Sequence, residues 1–131
     1  MLPDDSDARA TLEAAIRSAC DARDWKTAAT AGIRGYGDEL LGYLSALLRN
    51  ESDAADAFAI VCTNIWKALP AFRWDCSFRT WAYTVARSAG VTIVRDPYRR
   101  KRSDIENAEV SGIAAEVRSR TATFLRTETK D

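Results

Sequence analysis

One helical face runs through the middle of this chain, and its period excludes most folds. From Tyr36, the apolar residues Leu40, Tyr43, Leu44, Leu47 and Leu48 follow at offsets of 4, 7, 8, 11 and 12. Those offsets fit 3.6 residues per turn, whereas a half-buried strand alternates every two residues. The same period recurs on either side. Leu12, Ala15, Ile16 and Ala19 form a short stripe with Ser6 or Asp7 as its cap, and Trp25, Ala28, Ala29 and Ile33 form a second. Gly35 and Gly37 are expected to bend or break the helix between the second stripe and the one that starts at Tyr36.

Further along, Asn50-Glu51-Ser52 reads as a turn. Ser52 is expected to cap a helix whose first turn holds Asp53 and Asp56, where carboxylates suit the helix dipole. That helix buries Ala54, Ala57, Phe58, Val61, Ile65 and Leu69, leaves Asp56, Ala59, Thr63 and Lys67 on its outer side, and ends at Pro70. After a loop over 70–76, Ser77 is the candidate cap of a helix that buries Phe78, Trp81, Ala82, Val85 and Ala89. Its polar side presents Arg79, Tyr83 and Arg87 at i, i+4 and i+8. Asp96-Pro97 ends or bends it. The remainder is rich in Ser, Thr and Glu, with a modest apolar pattern at Ile105, Val110, Ile113, Val117 and Leu125, and reads as a marginal helix or two, or a linker. Strand signals are weak, because β-branched residues are scattered and turn dipeptides do not space out hairpins. The expected fold is all-α: a compact bundle of three to four helices with a marginally helical C-terminal tail.

At 131 residues the chain has room for one domain with a real core. It contains no histidine, which removes the commonest general base and metal ligand. No nucleophile elbow, phosphate-binding glycine loop or metal-spaced carboxylate pair is present. Asp4-Asp5 and Asp38-Glu39 read as solvated charges at helix starts. The expectation is therefore a non-enzymatic protein without metal or cofactor. Cys20, Cys62 and Cys76 are widely spaced, with no CxxC, which argues against a disulfide framework or zinc ribbon and fits a reducing cytoplasm. No run approaches a membrane span, and the acidic start MLPDDSDAR is no signal peptide.

The formal net charge is zero, but it is unevenly spread. Residues 1–70 carry 7 basic and 11 acidic groups, residues 71–103 carry 8 and 2, and residues 104–131 carry 4 and 6. A basic segment between acidic ones points to a localised anion-binding surface. The same segment holds Phe72, Trp74, Phe78, Trp81 and Tyr83, then Arg95, Arg99, Arg100, Lys101 and Arg102. Rings interleaved with arginines suit unpaired bases, which stack, and their phosphates, which pair with guanidinium groups.

Taken in order, DAADAF at 53–58, NIWKALPAFRW at 64–74, SFRTWAYTVARSAG at 77–90 and RDPYRRKR at 95–102 resemble region 2 of bacterial extracytoplasmic-function (ECF) RNA polymerase sigma factors. The resemblance implies N-terminal helices over 1–35, a region 2-like domain over 36–103 that binds polymerase and melts promoters, and a linker or tail over 104–131. It implies a surface around Asp53, Asp56, Ala59, Ile60 and Thr63 that docks on the clamp coiled coil of core RNA polymerase. It implies a second surface that opens the −10 promoter element and holds the non-template strand, built from Phe72, Arg73, Trp74, Arg79, Tyr83, Arg87 and Ser88. Arg95, Arg99, Arg100, Lys101 and Arg102 would line duplex phosphates beside it.

Plainer roles stand beside these. The carboxylates at 53 and 56 suit capping as well as docking, either Phe72 or Trp74 could plug the core under the loop, and the basic cluster could be a solvated helix end. The chain departs from the family pattern at Ala55, Ala59 and Ser88. A second domain reading the −35 element, usual in the family, is not expected after residue 103. The alternative function is a regulatory module that binds the clamp or an anti-sigma factor without initiating transcription.

Overall fold

The computed structural model describes residues 5–95 and 111–120, all of them in helices or short connections. The helices are α1 (Asp5–Asp21), α2 (Trp25–Leu48), α3 (Glu51–Ala68), a 3-10 turn (Leu69–Ala71), α4 (Phe78–Arg95) and α5 (111–120). The all-α bundle expected from the sequence is the observed fold. α2 is its axis, packing against α1, α3 and α4, while α3 also packs against α4.

Tight corners join the first three helices. At the end of α1, Arg23 adopts the left-handed region at φ 57°, and the Asp24 N–H donates to the Ala19 carbonyl at 2.9 Å. Asp24 then caps α2 by accepting from the Thr27 N–H at 3.2 Å, a bond that holds its carboxyl below the usual range. Arg49 closes α2 at φ 53° with its N–H on the Ser45 carbonyl. The cap of α3 differs from expectation. Asn50, in an extended conformation, accepts from the Asp53 N–H at 2.9 Å. Ser52 therefore lies inside the first turn. Asparagine caps as well as serine does, and the Arg49 corner brings the chain into helix two residues earlier than the serine would.

Buried side chains from all five helices meet in one core, among them Ile16, Ile33, Leu40, Leu44, Phe58, Ile65, Phe78, Ile93 and Val117. Gly35 and Gly37 do not break α2, which runs unbroken through both. Its glycines are notches for neighbouring helices. A Cβ on Gly32 would collide with the Phe78 ring, one on Gly35 with the Leu12 side chain, and one on Gly37 would lie 2.8 Å from Val117 Cγ1. These close approaches let α2 stand at the centre of the bundle.

The segment read from sequence as a marginal helix or linker contains α5, and α5 is part of the core. Ile113, Ala114 and Val117 are buried. Arg34 Nε meets Glu116 Oε2 at 3.0 Å, and Arg120 donates to Asp38 at 3.1 Å and to the Arg34 carbonyl at 3.2 Å. The apolar spacing 113, 114, 117 fits α5 onto the notch at Gly37, which a propensity argument about an isolated helix does not detect.

Candidate nucleic-acid interface

The loop between the 3-10 turn and α4 is a knot of rings. Pro70 is the second residue of the 3-10 turn, and the Phe72 N–H closes the turn on the Leu69 carbonyl at 3.0 Å. The Phe72 ring then lies between two tryptophans. Its centroid is 4.7 Å from Trp81, nearly parallel at 17°, and 4.8 Å from Trp74. It also meets Phe78 edge-on at 6.4 Å, and Phe78 stacks on Tyr36 at 5.9 Å. Phe72 is thus the plug under the loop. Trp81, expected in the core, is half-buried at its margin.

Trp74 sits in the left-handed region at φ 59°, a strained backbone for so bulky a residue. Side chains from α1 hold it there. The Arg17 guanidinium lies 5.3 Å from its ring centroid. Burial pushes up the Cys20 thiol of α1, and the Trp74 indole partly brings it back. In this conformation the Trp74 ring is engaged by Phe72 and Arg17.

The i, i+4, i+8 reading of α4 gives an open site. Arg79, Tyr83 and Arg87 line one shallow depression together with Thr80 and Thr84, and Tyr43 of α2 forms its far wall. Tyr43 and Tyr83 meet edge to face at 5.3 Å. The Arg79 guanidinium lies 5.1 Å from the Tyr83 ring centroid while its Nε donates to Glu39 Oε1 at 2.6 Å. That bond raises the arginine pKa further, and burial followed by the nearby Glu39 charge raises that of the Tyr83 hydroxyl. Both groups keep their protons at neutral pH, so the depression offers donors, ring faces and positive charge. Glu39 is therefore not the solvated helix-start charge expected from sequence. It lies in the middle of α2 and orients Arg79, while its neighbour Asp38 pairs with Arg120. Arg73, Ser88 and Arg95 are exposed but lie outside the depression. Arg99, Arg100, Lys101 and Arg102 lie outside the described residues.

The start of α4 is fixed from two directions. Ser77 caps it as expected, its hydroxyl accepting from the Thr80 N–H at 3.1 Å. A second acceptor comes from α1. Glu13 Oε1 accepts from the Phe78 N–H at 2.7 Å, and Glu13 Oε2 accepts from the Arg79 N–H at 3.2 Å and from the Tyr36 hydroxyl at 2.5 Å. Free N–H groups at a helix start carry partial positive charge, so a carboxylate is the favoured acceptor there. The chain offers no local signal for this contact, because the partners are 65 and 66 residues apart.

On α3, Asp53, Asp56, Ile60 and Thr63 are half-buried on the outer side. Ala59 is not on that surface: it is 7% exposed. Its carbonyl accepts from Thr63 Oγ1 at 3.1 Å. Among the described residues no group of His, Cys, Asp and Glu is arranged to hold a metal ion, and no helix is long and apolar enough to cross a membrane.

No match was found among curated proteins or among solved structures. A family model for sigma-70 region 2 matches residues 33–102, just over half of the chain. The matched span takes in most of α2 and all of α3, the aromatic loop and α4, the same elements that carry the two surfaces described above. With an all-helical bundle, an aromatic and basic face on α4 and this match, the chain belongs to the sigma-70 region 2 family, whose members bind core RNA polymerase and recognise the −10 promoter element.

Proposed function

We propose that the chain is the promoter-melting module of an ECF-type sigma factor, docking on the polymerase clamp through α3 and holding the non-template strand of the −10 element on α4. The observation that carries this reading is the depression of Tyr43, Arg79, Tyr83 and Arg87 beside the aromatic loop. Base–aromatic stacking contributes about 1–3 kcal/mol per base, and a guanidinium beside it meets a phosphate. Of the candidate residues, Tyr83 and Arg87 are the primary contacts, with Arg79 held ready by Glu39. The clamp contact rests on Asp53, Asp56, Ile60 and Thr63, with Ala59 behind them as packing.

The test is fluorescence anisotropy of a labelled single-stranded −10 non-template oligonucleotide with core polymerase and this chain. Tyr83→Ala and Arg87→Ala should each weaken binding to the single strand more than binding to duplex. Equal losses on both would show that Tyr83 is structural. Asp56→Arg should abolish capture of the clamp coiled coil with unchanged helical content, and unchanged capture would move the dock off α3. Clamp capture without any single-strand binding would favour the alternative, a regulatory module that occupies the clamp or an anti-sigma partner.

A further inference from the structure

The helix ahead of the family-matched span has a stake in the DNA-reading face. Glu13 and Arg17 follow at i and i+4 on one side of α1, and each touches an element of the site: Glu13 the start of α4, Arg17 the Trp74 ring. Of the two, Glu13 is the more tightly built in. One carboxylate receives three donors, from two successive backbone N–H groups of α4 and from the buried Tyr36 of α2. Ser77 already caps the third free N–H of α4 from within its own chain segment. What Glu13 adds is therefore registration: it ties the first turn of α4 to α1 and α2 at the residue, Arg79, whose side chain enters the depression.

We propose that Glu13 is a positioning residue for nucleic-acid binding, setting the start of α4, and through it Arg79 and the aromatic loop, in the geometry that receives an unpaired strand. The proposal rests on the reading of α4 as the strand-binding face. Glu13 makes no contact with DNA itself and acts through the Phe78 and Arg79 backbone.

Glu13→Gln is the isosteric test. Both carboxylate oxygens accept from N–H donors, so an amide nitrogen in either place faces a donor and leaves one α4 N–H without its acceptor. Asn50→Ala is the matched control, because it removes the side-chain cap of α3 and should destabilise the fold without touching α4. Affinity for a single-stranded −10 non-template oligonucleotide is measured with the full chain alone, without core polymerase, so that the start of α3 does not enter the readout, and well below the melting temperature of each variant. Glu13→Gln should weaken single-strand binding by about tenfold, while Asn50→Ala leaves it within about twofold at a comparable loss of melting temperature. If Glu13→Gln does not fold, Tyr36→Phe removes one of the three donors and keeps the ring on Phe78, and it should lose affinity in the same direction by about threefold. Tyr83→Ala separates the two claims. Loss with Tyr83→Ala but none with Glu13→Gln or Tyr36→Phe, or an equal loss with Asn50→Ala, overturns the role of Glu13 alone. No loss with Tyr83→Ala overturns the strand-binding reading beneath it.

Discussion

Gly32 and Gly42 lie on the same helix, and the same substitution should move them in opposite directions. Alanine is worth about 0.5–1 kcal/mol over glycine in a helix interior. At Gly42 nothing lies within 4 Å of an added Cβ, so Gly42→Ala should stabilise by that amount. At Gly32 the added methyl meets the buried Phe78 ring, and overpacking of this kind costs about 1–3 kcal/mol, which outweighs the propensity gain. Urea unfolding of the two variants checks this, and a stabilised Gly32→Ala would contradict the close packing of α4 on α2. Cys62 supplies a second test, in alkali. Burial pushes its thiol from 9.0 up to about 12. Between those values the unfolded chain holds fewer protons than the folded one, so stability falls as pH rises, by up to about 1.4 kcal/mol per unit for this thiol. Below pH 9 its contribution is fully present. Tyr36, pushed up by burial and by its bond to Glu13, adds a loss of the same sign at higher pH. The urea midpoint should decline above pH 9, and less steeply in Cys62→Ala; equal slopes would contradict burial of the thiol. Neither residue announced its partner in the sequence. Tyr83, Arg79 and Arg87 were legible because one helix sets their spacing, but Glu13, Glu39 and the wall at Tyr43 act on α4 from helices distant in the chain.

Among the helices, α5 shows how a segment of weak propensity gains order from its neighbours. Its polar contacts are exposed: the Arg120 and Asp38 side chains are 46% and 55% accessible. Exposed pairs of this kind contribute about 0–1 kcal/mol. Val117 is fully buried, and removing its two methyl groups should cost about 2 kcal/mol. Val117→Ala should therefore lower the urea midpoint much more than Arg120→Ala, and the reverse order would mean that ion pairs hold α5. The sequence marked the apolar positions 113 and 117 but not their destination, because the notch at Gly37 is a tertiary feature. The starts of α3 and α4 make the same point in miniature. Ser77 was readable as a cap from its own sequence, whereas Asn50 displaced Ser52 because the left-handed corner at Arg49 set the entry to the helix.

For the molecule as a whole, helical period alone determined the fold class, and the order of motifs along 53–102 pointed to the family. What the period could not supply is the relation between helices: that α1 clasps the aromatic loop, that Phe72 and Trp74 are packed among themselves and Arg17, and that Tyr83 lines the depression between Arg79 and Arg87 with Tyr43 as its wall. In the proposed arrangement an unpaired strand lies along α4 while α3 faces the polymerase. Photo-crosslinking tests it most directly. A non-template −10 oligonucleotide carrying a photoreactive base is irradiated in complex with core polymerase and this chain, and the crosslinked peptide is identified by mass spectrometry. Crosslinks should fall within 72–87, centred on Tyr83 and reduced in Arg87→Ala. Crosslinks on α3 or α5, or a pattern unchanged when the oligonucleotide is made duplex, would contradict it.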